Sequence, residues 1–324
     1  MRSNKSEEEG MKQLYFIINP QAKSGSSMKI WDEIRKELEL RSIQFKSLFT
    51  EHRGHATMLA QSIGRKQGGE EAIIIVVGGD GTFHEVLNGV AGNSHVRLGF
   101  VPAGSGNDFR RGFRIPKNPI SAFRYAIERI MEPPALVDTG KMVDCHEKET
   151  HFVNSIGAGF DALISKEANE SRLKKRLNKI SLGNLVYAYL VLKRVSSFRR
   201  TKVTVVVDGV PHHFEDTLFV CVSNQPYYGG GMRISPKASV IDGMLNITVV
   251  HQLSGIKFLF FFITVFWGGH LRFKEVKNLI GTEISIETEE PFPVHADGEY
   301  VGETPITIHT NSKALPLLIK EIES

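Results

Sequence analysis

The stretch "VVGGDGTFHEVLNG", residues 76–89, passes from an apolar run through three glycines and one aspartate into a helical pattern. A tight turn between a strand and a helix needs one glycine, or two at most. The extra glycine and the bare carboxylate of Asp80 therefore indicate a role beyond chain reversal. Around this stretch, strand-like and helix-like patterns alternate from "LYFIIN" (14–19) to "PISAFRYAIERIM" (119–131). The alternation predicts βαβ units in a three-layer α/β domain with a mostly parallel sheet.

Length and composition bound the class of protein. The chain has 324 residues, enough for two domains, and its 41% hydrophobic and 23% charged residues are typical of a globular protein. The net charge of +4 permits anionic partners without requiring them. The only two cysteines, Cys145 and Cys221, form no disulfide framework, which fits a reducing cytoplasm. The longest apolar run, "FLFFFITVFW" (258–267), is shorter than the roughly 20 residues that cross a bilayer.

The pattern changes near "MEPPALVD" (131–138), where two prolines end the last helix of the alternating part. The segments beyond it are short, β-branched and broken by turn residues, which predicts an antiparallel sandwich or barrel. We expect an α/β domain over residues 11–135 and a β-sandwich domain over 136–310, with the active site in the cleft between them. Residues 311–324 are expected to pack back on the first domain. Two helices are predicted within the β-rich part, around residues 183–197 and 254–267.

Three glycine-rich loops each follow a predicted parallel strand: "NPQAKSG" (19–25), "GGDGT" (78–82) and "PAGSGND" (102–108). The carboxyl ends of parallel strands share one sheet edge, where glycine amides and helix N-termini suit phosphate oxygens. Each loop alone could be an ordinary turn, but three on one edge favour a phosphate site. The pattern G-x-G-x-x-G does not occur, because His84 and Phe109 stand where its third glycine belongs. The P-loop pattern G-x-x-x-x-G-K-[ST] is also absent from the sequence. A carboxylate beside phosphates is unusual, because like charges repel. The position of Asp80 would be explained if it acts through Mg²⁺ or contacts a nucleotide hydroxyl.

With "GFVPAGSGNDFRRGF" (99–113), the opening stretch resembles the soluble lipid kinases of the diacylglycerol kinase catalytic family, which includes bacterial diacylglycerol kinases and sphingosine kinases. Further matching segments follow in the family's order: "FIINPQAKSG" (16–25), "VDTGKM" (137–142), "NSIGAGFDA" (154–162), "DGMLNITVV" (242–250) and "HADGEY" (295–300). "GGDGT" alone would also fit NAD kinases and phosphofructokinases. The resemblance implies a two-domain fold that binds ATP and Mg²⁺ in the interdomain cleft and phosphorylates a lipid hydroxyl.

The resemblance also implies roles for single residues. The nucleotide-binding set consists of Asn19, Pro20, Gln21, Ala22, Lys23, Ser24, Thr50, Gly78, Gly79, Asp80, Gly81, Thr82, Phe83, His84, Glu85, Gly104, Ser105 and Asn107. In the family's "DGE", Asp297 or Glu299 would be the general base, and Asp80 would be a third catalytic carboxylate. A plain Asp-Gly hairpin turn is the alternative interpretation of residues 297–298.

A structural Mg²⁺ site is also implied by the resemblance. Asp242 would supply a carboxylate, and Ser239 and Met244 would supply main-chain carbonyls. Ile241 stands where many relatives have a second acid or an Asn, which leaves fewer oxygen ligands for a hard cation. A turn is the alternative interpretation of this segment.

A kinase of membrane lipids must dock on a bilayer. Residues 171–202 contain basic residues and no acid, which suits anionic head groups, although a solvated helix face is the alternative. "IKFLFFFITVFWGGH" (256–270) is apolar all round, which slightly favours a buried helix over a face that dips into lipid. We expect a cytoplasmic protein, peripheral at the inner membrane surface, with a lipid substrate and no nucleic-acid partner; homodimer formation is left open.

Two other functions remain open from the sequence. One is a kinase of a soluble substrate such as NAD, which would share "GGDGT". The other is a catalytically silent lipid-binding protein, which the Ile241 departure would fit. The intact "GGDGT" and "DGE" segments favour the lipid kinase over both.

Overall fold

The structure is a computed structural model that describes residues 13–66, 71–104, 106–170, 191, 193–195 and 197–322. Most of the basic segment 171–202, and of the helix predicted around 183–197, lies outside these ranges. Ser105 and residues 1–12 lie outside them as well. Within the described part of the chain, no helix is long and apolar enough to cross a membrane.

The N-terminal half alternates strands and helices, as the sequence predicts. Its elements are β1 (Gln13–Ile18), α1 (Ser26–Leu40), β2 (Lys46–Phe49), α2 (His55–Lys66), β3 (Ala72–Gly78), α3 (Asp80–Val90), β4 (Val96–Pro102), α4 (Asp108–Gly112) and α5 (Pro119–Ile127). The four strands are parallel and lie in the order β2-β1-β3-β4. The expected mostly parallel sheet is confirmed.

Helices cover both faces of this sheet. All seven residues of β3 are buried, as expected for a parallel strand covered on both sides. Ile75 points to the face where Trp31 of α1 and Phe123 of α5 pack. Ile74 points to the opposite face, which α2 and α3 cover. The half is therefore the three-layer α/β domain that the sequence predicts.

The C-terminal half is antiparallel and rich in strands, which confirms the second part of the predicted fold. Its elements are β5 (Ala135–Asp144), β6 (Glu149–Phe152), β7 (Ser155–Gly159), α6 (Phe160–Glu170), β8 (Thr201–Val207), β9 (Val210–Ser223), β10 (Leu245–His251), α7 (Gly255–Thr264), β11 (Val276–Gly281), β12 (Glu283–Thr288), β13 (Pro293–Ala296), β14 (Glu299–Glu303) and β15 (Ile306–Leu317). The strand order is β14-β13-β7-β9-β8-β12-β15. In addition, β10 pairs with β9 and with β11, and β5 pairs with β15 and with β6.

Strand β15 joins the two halves. Along most of its length it pairs antiparallel with β12 and β5. At its end, Leu317 pairs parallel with Leu98 of β4, and the Leu318 N–H donates to the Leu98 carbonyl at 2.9 Å. Leu315 and Leu317 also belong to the apolar core beneath α2 and α3. The end of β15 therefore extends the parallel sheet.

We expect Leu317→Ala to lower the free energy of unfolding by about 2–5 kcal/mol, because it empties a buried site at this junction. The side chain is 1% exposed. Leu136→Ala is the matched control, since Leu136 lies on the neighbouring strand β5 but is 47% exposed, and it should cost less than about 0.5 kcal/mol. Urea unfolding followed by circular dichroism measures both. Equal losses of unfolding free energy in the two variants would contradict the packing of Leu317 at this junction.

Candidate active site

A cleft of about 540 Å³ lies between the two halves. The three glycine-rich loops form one wall, at the carboxyl ends of β1, β3 and β4. Thirteen of the predicted site residues line it: Asn19, Gln21, Ala22, Lys23, Thr50, Gly79, Asp80, Gly81, Thr82, Glu85, Gly104, Asp297 and Glu299. The structure thus brings most of the predicted nucleotide set and both carboxylates of "DGE" to one place.

The glycines let the loops touch backbone to backbone. A Cβ on Gly104 would lie 2.5 Å from the Gly79 Cα, a distance that no real side chain tolerates. Next to this contact, the Ala103 N–H donates to the Gly78 carbonyl at 2.7 Å. The first loop is tied to the second by the Asn19 amide, whose Nδ2 donates to Thr82 Oγ1 at 2.9 Å. Close approach of loops, rather than turning alone, explains the extra glycine of "GGDG".

The Asp80 carboxylate joins the second loop to the third. Its two oxygens accept the backbone N–H groups of Asp108 (3.0 Å) and Phe109 (3.3 Å). Burial, together with the nearby negative charge of Asp108, raises the pKa of Asp80 to about 7. Each oxygen accepts one backbone donor, so each keeps capacity for a second partner. These amide partners of Asp80 left no signal in the sequence.

Asp108 continues this arrangement into the β-rich half. Its carboxylate accepts the Gly230 N–H at 2.6 Å and an N–H of Arg111 at 2.8 Å. Burial raises the pKa of Asp108, while these donors oppose the rise. Two adjacent carboxylates thus connect the glycine loops to the segment 227–230, which lines the opposite wall of the cleft.

Asp297 and Gly298 form the two-residue turn between β13 and β14. Their φ angles of +50° and +88° fit the turn type in which Asp-Gly is favoured. The hairpin alternative is therefore correct as geometry, and the turn also delivers a carboxylate to the cleft.

The Asp297 side chain is only 1% exposed, although its residue borders the cleft. Its oxygens accept three consecutive backbone N–H groups, from Val153 (3.1 Å), Asn154 (2.8 Å) and Ser155 (3.1 Å). His84 Nδ1, from α3, lies 3.2 Å from the same carboxylate. Asp297 is thus saturated with donors, and it holds the hairpin against both the β6–β7 connection and the α/β half.

His295 supports the same turn from behind. Its Nδ1 accepts the Gly298 N–H at 3.2 Å, which places the ring proton on Nε2. Nε2 lies 3.5 Å from Asp161 Oδ2, and both side chains are buried. A Cβ on Gly157 would overlap both of these atoms, so only glycine fits there. This pair was not predicted from the sequence, although the segments "NSIGAGFDA" and "HADGEY" contain it.

Glu299 reaches across the cleft. Its Oε2 accepts an N–H of Arg53 at 2.6 Å, and its side chain is 27% exposed. A Cβ on Gly81 would come within 2.9 Å of Glu299 Oε1, so this carboxylate lies against the "GGDGT" loop. Glycine at 81 leaves room for a side chain that comes from the other half.

Several residues of the predicted nucleotide-binding set make contacts within the protein. Phe83 is buried and stacks on Phe109, with ring centroids 3.9 Å apart. The Glu85 carboxylate accepts the N–H groups of Gly54 and Ala56 near the start of α2, although Glu85 also borders the cleft. His84 contacts Asp297, as described above. Pro20, Gly78 and Asn107 are not among the residues that line the cleft, and Ser105 and the Ser24 side chain lie outside the described part.

The predicted structural Mg²⁺ set lies away from the cleft. The exposed Asp242 accepts the Met244 N–H at 3.0 Å, an ordinary turn contact. The buried Asp138 accepts the N–H groups of Gly243 (2.7 Å) and Lys313 (2.7 Å) and so fixes the same segment. Ser239 is the remaining predicted member. The described residues contain no group of three His, Cys, Asp or Glu side chains that could hold a metal.

Other residues of the cleft were not predicted as site residues. The segment "PYYGG" (226–230) combines two tyrosines with two glycines whose φ angles are positive in the structure, and this composition was a usable signal. Arg53 and the serine and asparagine at the β6–β7 connection carried no comparable signal. The unpredicted lining residues include Arg53, Asn154, Ser155, Ser165, Tyr227, Tyr228 and Gly230.

Two family models match successive parts of the chain. A family model described as "Diacylglycerol kinase catalytic domain" matches residues 13–141, and one described as "YegS C-terminal NAD kinase beta sandwich-like domain" matches residues 154–319. "Putative lipid kinase YtlR" of Bacillus subtilis (strain 168) is 34% identical over 310 residues, covering 96% of this chain and 100% of that protein. "Diacylglycerol kinase" of Mycobacterium tuberculosis (strain ATCC 25618 / H37Rv) is 32% identical over 246 residues, 76% of each chain.

A solved structure shares the fold along almost the whole chain. The crystal structure of a "putative diacylglycerol kinase from Bacillus anthracis str. Sterne" superposes with a TM-score of 0.74 at 26% identity, covering 95% of this chain and 97% of that one. An α/β half and an antiparallel half that face each other across a cleft thus define a two-domain kinase fold. The chain belongs to the diacylglycerol kinase family of lipid kinases, which confirms the resemblance found in the sequence.

We expect Gly104→Ala to destabilise the protein by about 1–3 kcal/mol, because its methyl group would overlap the Gly79 backbone. Gly255→Ala is the matched control: nothing lies within 4 Å of its Cβ position, and its backbone is not left-handed. That change should be neutral or slightly stabilising. Urea unfolding compares the two. The loop contact would be refuted by a Gly104→Ala protein as stable as wild type.

The raised pKa of Asp80 predicts a pH-dependent stability. The folded protein holds this proton more tightly than the unfolded chain, so the charged carboxylate destabilises the fold as pH rises from about 4 through about 7. Asp80→Asn should therefore raise Tm, relative to wild type, by about 4 °C more at pH 8 than at pH 5. The exposed Asp32→Asn serves as control, with no such change. The same Tm difference at both pH values for Asp80→Asn would contradict the burial argument.

Proposed function

We propose that the protein is an ATP-dependent lipid kinase, which transfers the γ-phosphoryl group of ATP to a hydroxyl of a lipid such as diacylglycerol. The observation that carries the proposal is the cleft, where glycine-loop amides from one half meet carboxylates from both halves. Membership of the lipid kinase family supports the substrate class, because similar proteins are named diacylglycerol kinase.

The α/β wall is suited to the nucleotide phosphates. The "GGDGT" loop opens α3, and the N-terminus of a helix carries unpaired N–H groups and partial positive charge. Lys23 and Arg53 line the same cleft and supply full positive charges. Phosphoryl transfer needs mainly positioning and charge stabilisation, and both are available from these groups.

The donor set also fits Mg²⁺ that arrives with the nucleotide. Asp80, Asp108 and Glu299 line the cleft, but the described residues contain no preassembled cluster of three ligands. Mg²⁺ in such enzymes is usually held by one or two carboxylates together with substrate phosphates. When bound, it would offset the negative charge of the phosphates. We assign Asp108 and Glu299, which line the cleft, as the residues that would hold it.

The three carboxylates named from the sequence have different surroundings. Asp297 accepts three N–H groups and is almost fully buried, which suits a positioning role. Glu299 pairs with Arg53. Asp80 lines the cleft, keeps acceptor capacity on both oxygens, and has its pKa raised to about 7, close to the value that suits a general base at neutral pH. We therefore favour Asp80 as the group that accepts the lipid hydroxyl proton, with Glu299 as the alternative.

A lipid panel tests the reaction. The purified protein is incubated with Mg²⁺ and ATP in mixed micelles that contain diacylglycerol, monoacylglycerol, ceramide or sphingosine, and in parallel with NAD. Mass spectrometry should find a phosphomonoester of one lipid class. Product from NAD alone would instead favour the soluble-substrate kinase, which the name of the C-terminal family model weakly supports. No product from any acceptor would overturn the proposal.

Variants of the carboxylates separate chemistry from structure. We expect Asp80→Asn to lower kcat about 10²–10⁴-fold, the usual contribution of a general base, while the protein stays folded. Asp297→Asn should lower both kcat and Tm, because it disturbs the contacts to residues 153–155. The exposed Glu303→Gln on β14 is the control and should change neither. An Asp80→Asn enzyme with wild-type kcat, together with an inactive Glu299→Gln enzyme, would move the base to Glu299.

A further inference from the structure

Helix α7 and the single turn after it, Val265–Trp267, expose one face. The other face is buried through Phe258, Phe261 and Val265. The interpretation of this segment as a buried helix is therefore right for only half of its circumference. The exposed side chains follow helical spacing, with 47–60% of each accessible to solvent: Leu259, Phe260, Ile263, Phe266 and Trp267. We call these five residues the apolar face.

The apolar face belongs to an ordered element. Ser254 caps α7 by accepting the Lys257 N–H at 3.4 Å. On the buried side, Phe258 packs edge-on against Phe160 of α6, at a centroid distance of 5.8 Å. Five large apolar side chains side by side on a fixed helix are unusual for a surface that meets only water. Such patches mark interaction sites.

The charged residues that are close in sequence to the apolar face are mostly basic. Residues 243–274 contain no Asp or Glu, whereas Arg272 and Lys274 are exposed shortly after the face. The first acid that follows, Glu275, is 5% exposed and is paired with the Lys257 ammonium. Basic residues beside an aromatic and aliphatic face complement an anionic lipid surface, where Trp and Phe sit at the boundary between head groups and acyl chains.

The apolar face is also connected to the cleft. The Arg233 N–H donates to the Val265 carbonyl at 2.9 Å. Arg233 closely follows Gly230, which lines the cleft and binds Asp108. Tyr228, another lining residue, lies in the same apolar cluster as Phe258. One short segment, residues 228–233, therefore borders the cleft and also binds the turn Val265–Trp267, which carries Phe266 and Trp267.

We propose that the apolar face is the surface by which this protein docks on an anionic lipid bilayer. The inference rests on the proposed function in one respect: a lipid substrate gives docking its purpose. Docking here would bring the segment 228–233, and with it one wall of the cleft, to the membrane where the substrate resides. The face inserts its five side chains, and Arg272 and Lys274 contact the anionic head groups.

The two tryptophans allow a direct optical test. The chain contains only Trp31, which is 2% exposed in the α/β core, and Trp267, which is 60% exposed on the apolar face. A Trp31→Phe protein reports Trp267 alone. Vesicles of phosphatidylglycerol and phosphatidylcholine should shift its emission to the blue, and lipids brominated on the acyl chain should quench it, as expected for an indole that enters the boundary region. Pure phosphatidylcholine in high salt should give a smaller shift.

Matched variants test the face by vesicle flotation without nucleotide. Phe260→Glu/Ile263→Glu should weaken binding to phosphatidylglycerol vesicles tenfold or more, and leave Tm within a few degrees. Leu40→Glu/Met131→Glu is the control, because both side chains are over 80% exposed on the other half of the molecule. It should bind like wild type. Wild-type binding by the Phe260→Glu/Ile263→Glu protein, or a Trp267 emission that vesicles leave unchanged, would overturn the proposal.

A second copy of the chain is the competing occupant of the apolar face. Light scattering that shows a dimer, dissociated by Phe260→Glu/Ile263→Glu, with no vesicle binding by wild type, would overturn docking in favour of self-association. Failure of the proposed function has a different signature. In that case the vesicle results stand, but no lipid in detergent micelles is phosphorylated.

Discussion

The carboxylate of Asp297 is the contact on which the arrangement of the cleft depends. A carboxylate with a 1% exposed side chain is costly to bury unless donors surround it. Here the donors are three consecutive amides, 153–155, together with His84 of the opposite half. These groups satisfy the charge only when the hairpin, the β6–β7 connection and α3 are all in place. The same contact fixes the turn that carries Glu299 toward the glycine loops.

The facing wall depends on close backbone contacts as well as on the Asp80 side chain. Gly79 and Gly104 touch without intervening Cβ atoms, and Asp80 binds the amides that open α4. Packing the loops this closely leaves the Asp80 carboxylate desolvated beside Asp108, which raises its pKa. The tight loop geometry and the proton affinity of Asp80 thus have the same physical origin. A carboxylate whose pKa lies near neutral pH suits the proton abstraction that we propose for Asp80.

Local patterns were sufficient to predict much of the fold. The apolar run of β3 and the regular alternation around it indicate a parallel sheet, and strand chemistry after the two prolines indicates the antiparallel half. The partners of Asp80 and Asp297 could not be predicted, because backbone amides from distant loops leave no residue-type signal. Phe83 shows a related limit: its place in a conspicuous loop suggested a ligand contact, yet it packs on Phe109 in the core. Helix α7 shows a second limit. A segment that is apolar on all sides does not reveal which side of the helix the rest of the protein covers.

The central claim is that the glycine loops and carboxylates of this cleft form a nucleotide site. Hydrogen–deuterium exchange with and without Mg²⁺ and ATP tests it most directly, because bound phosphates would occupy the loop amides. The account predicts slower exchange of the amides at residues 79–82 and in the first loop when the nucleotide is present. Unchanged exchange in both loops at saturating Mg²⁺ and ATP would contradict it.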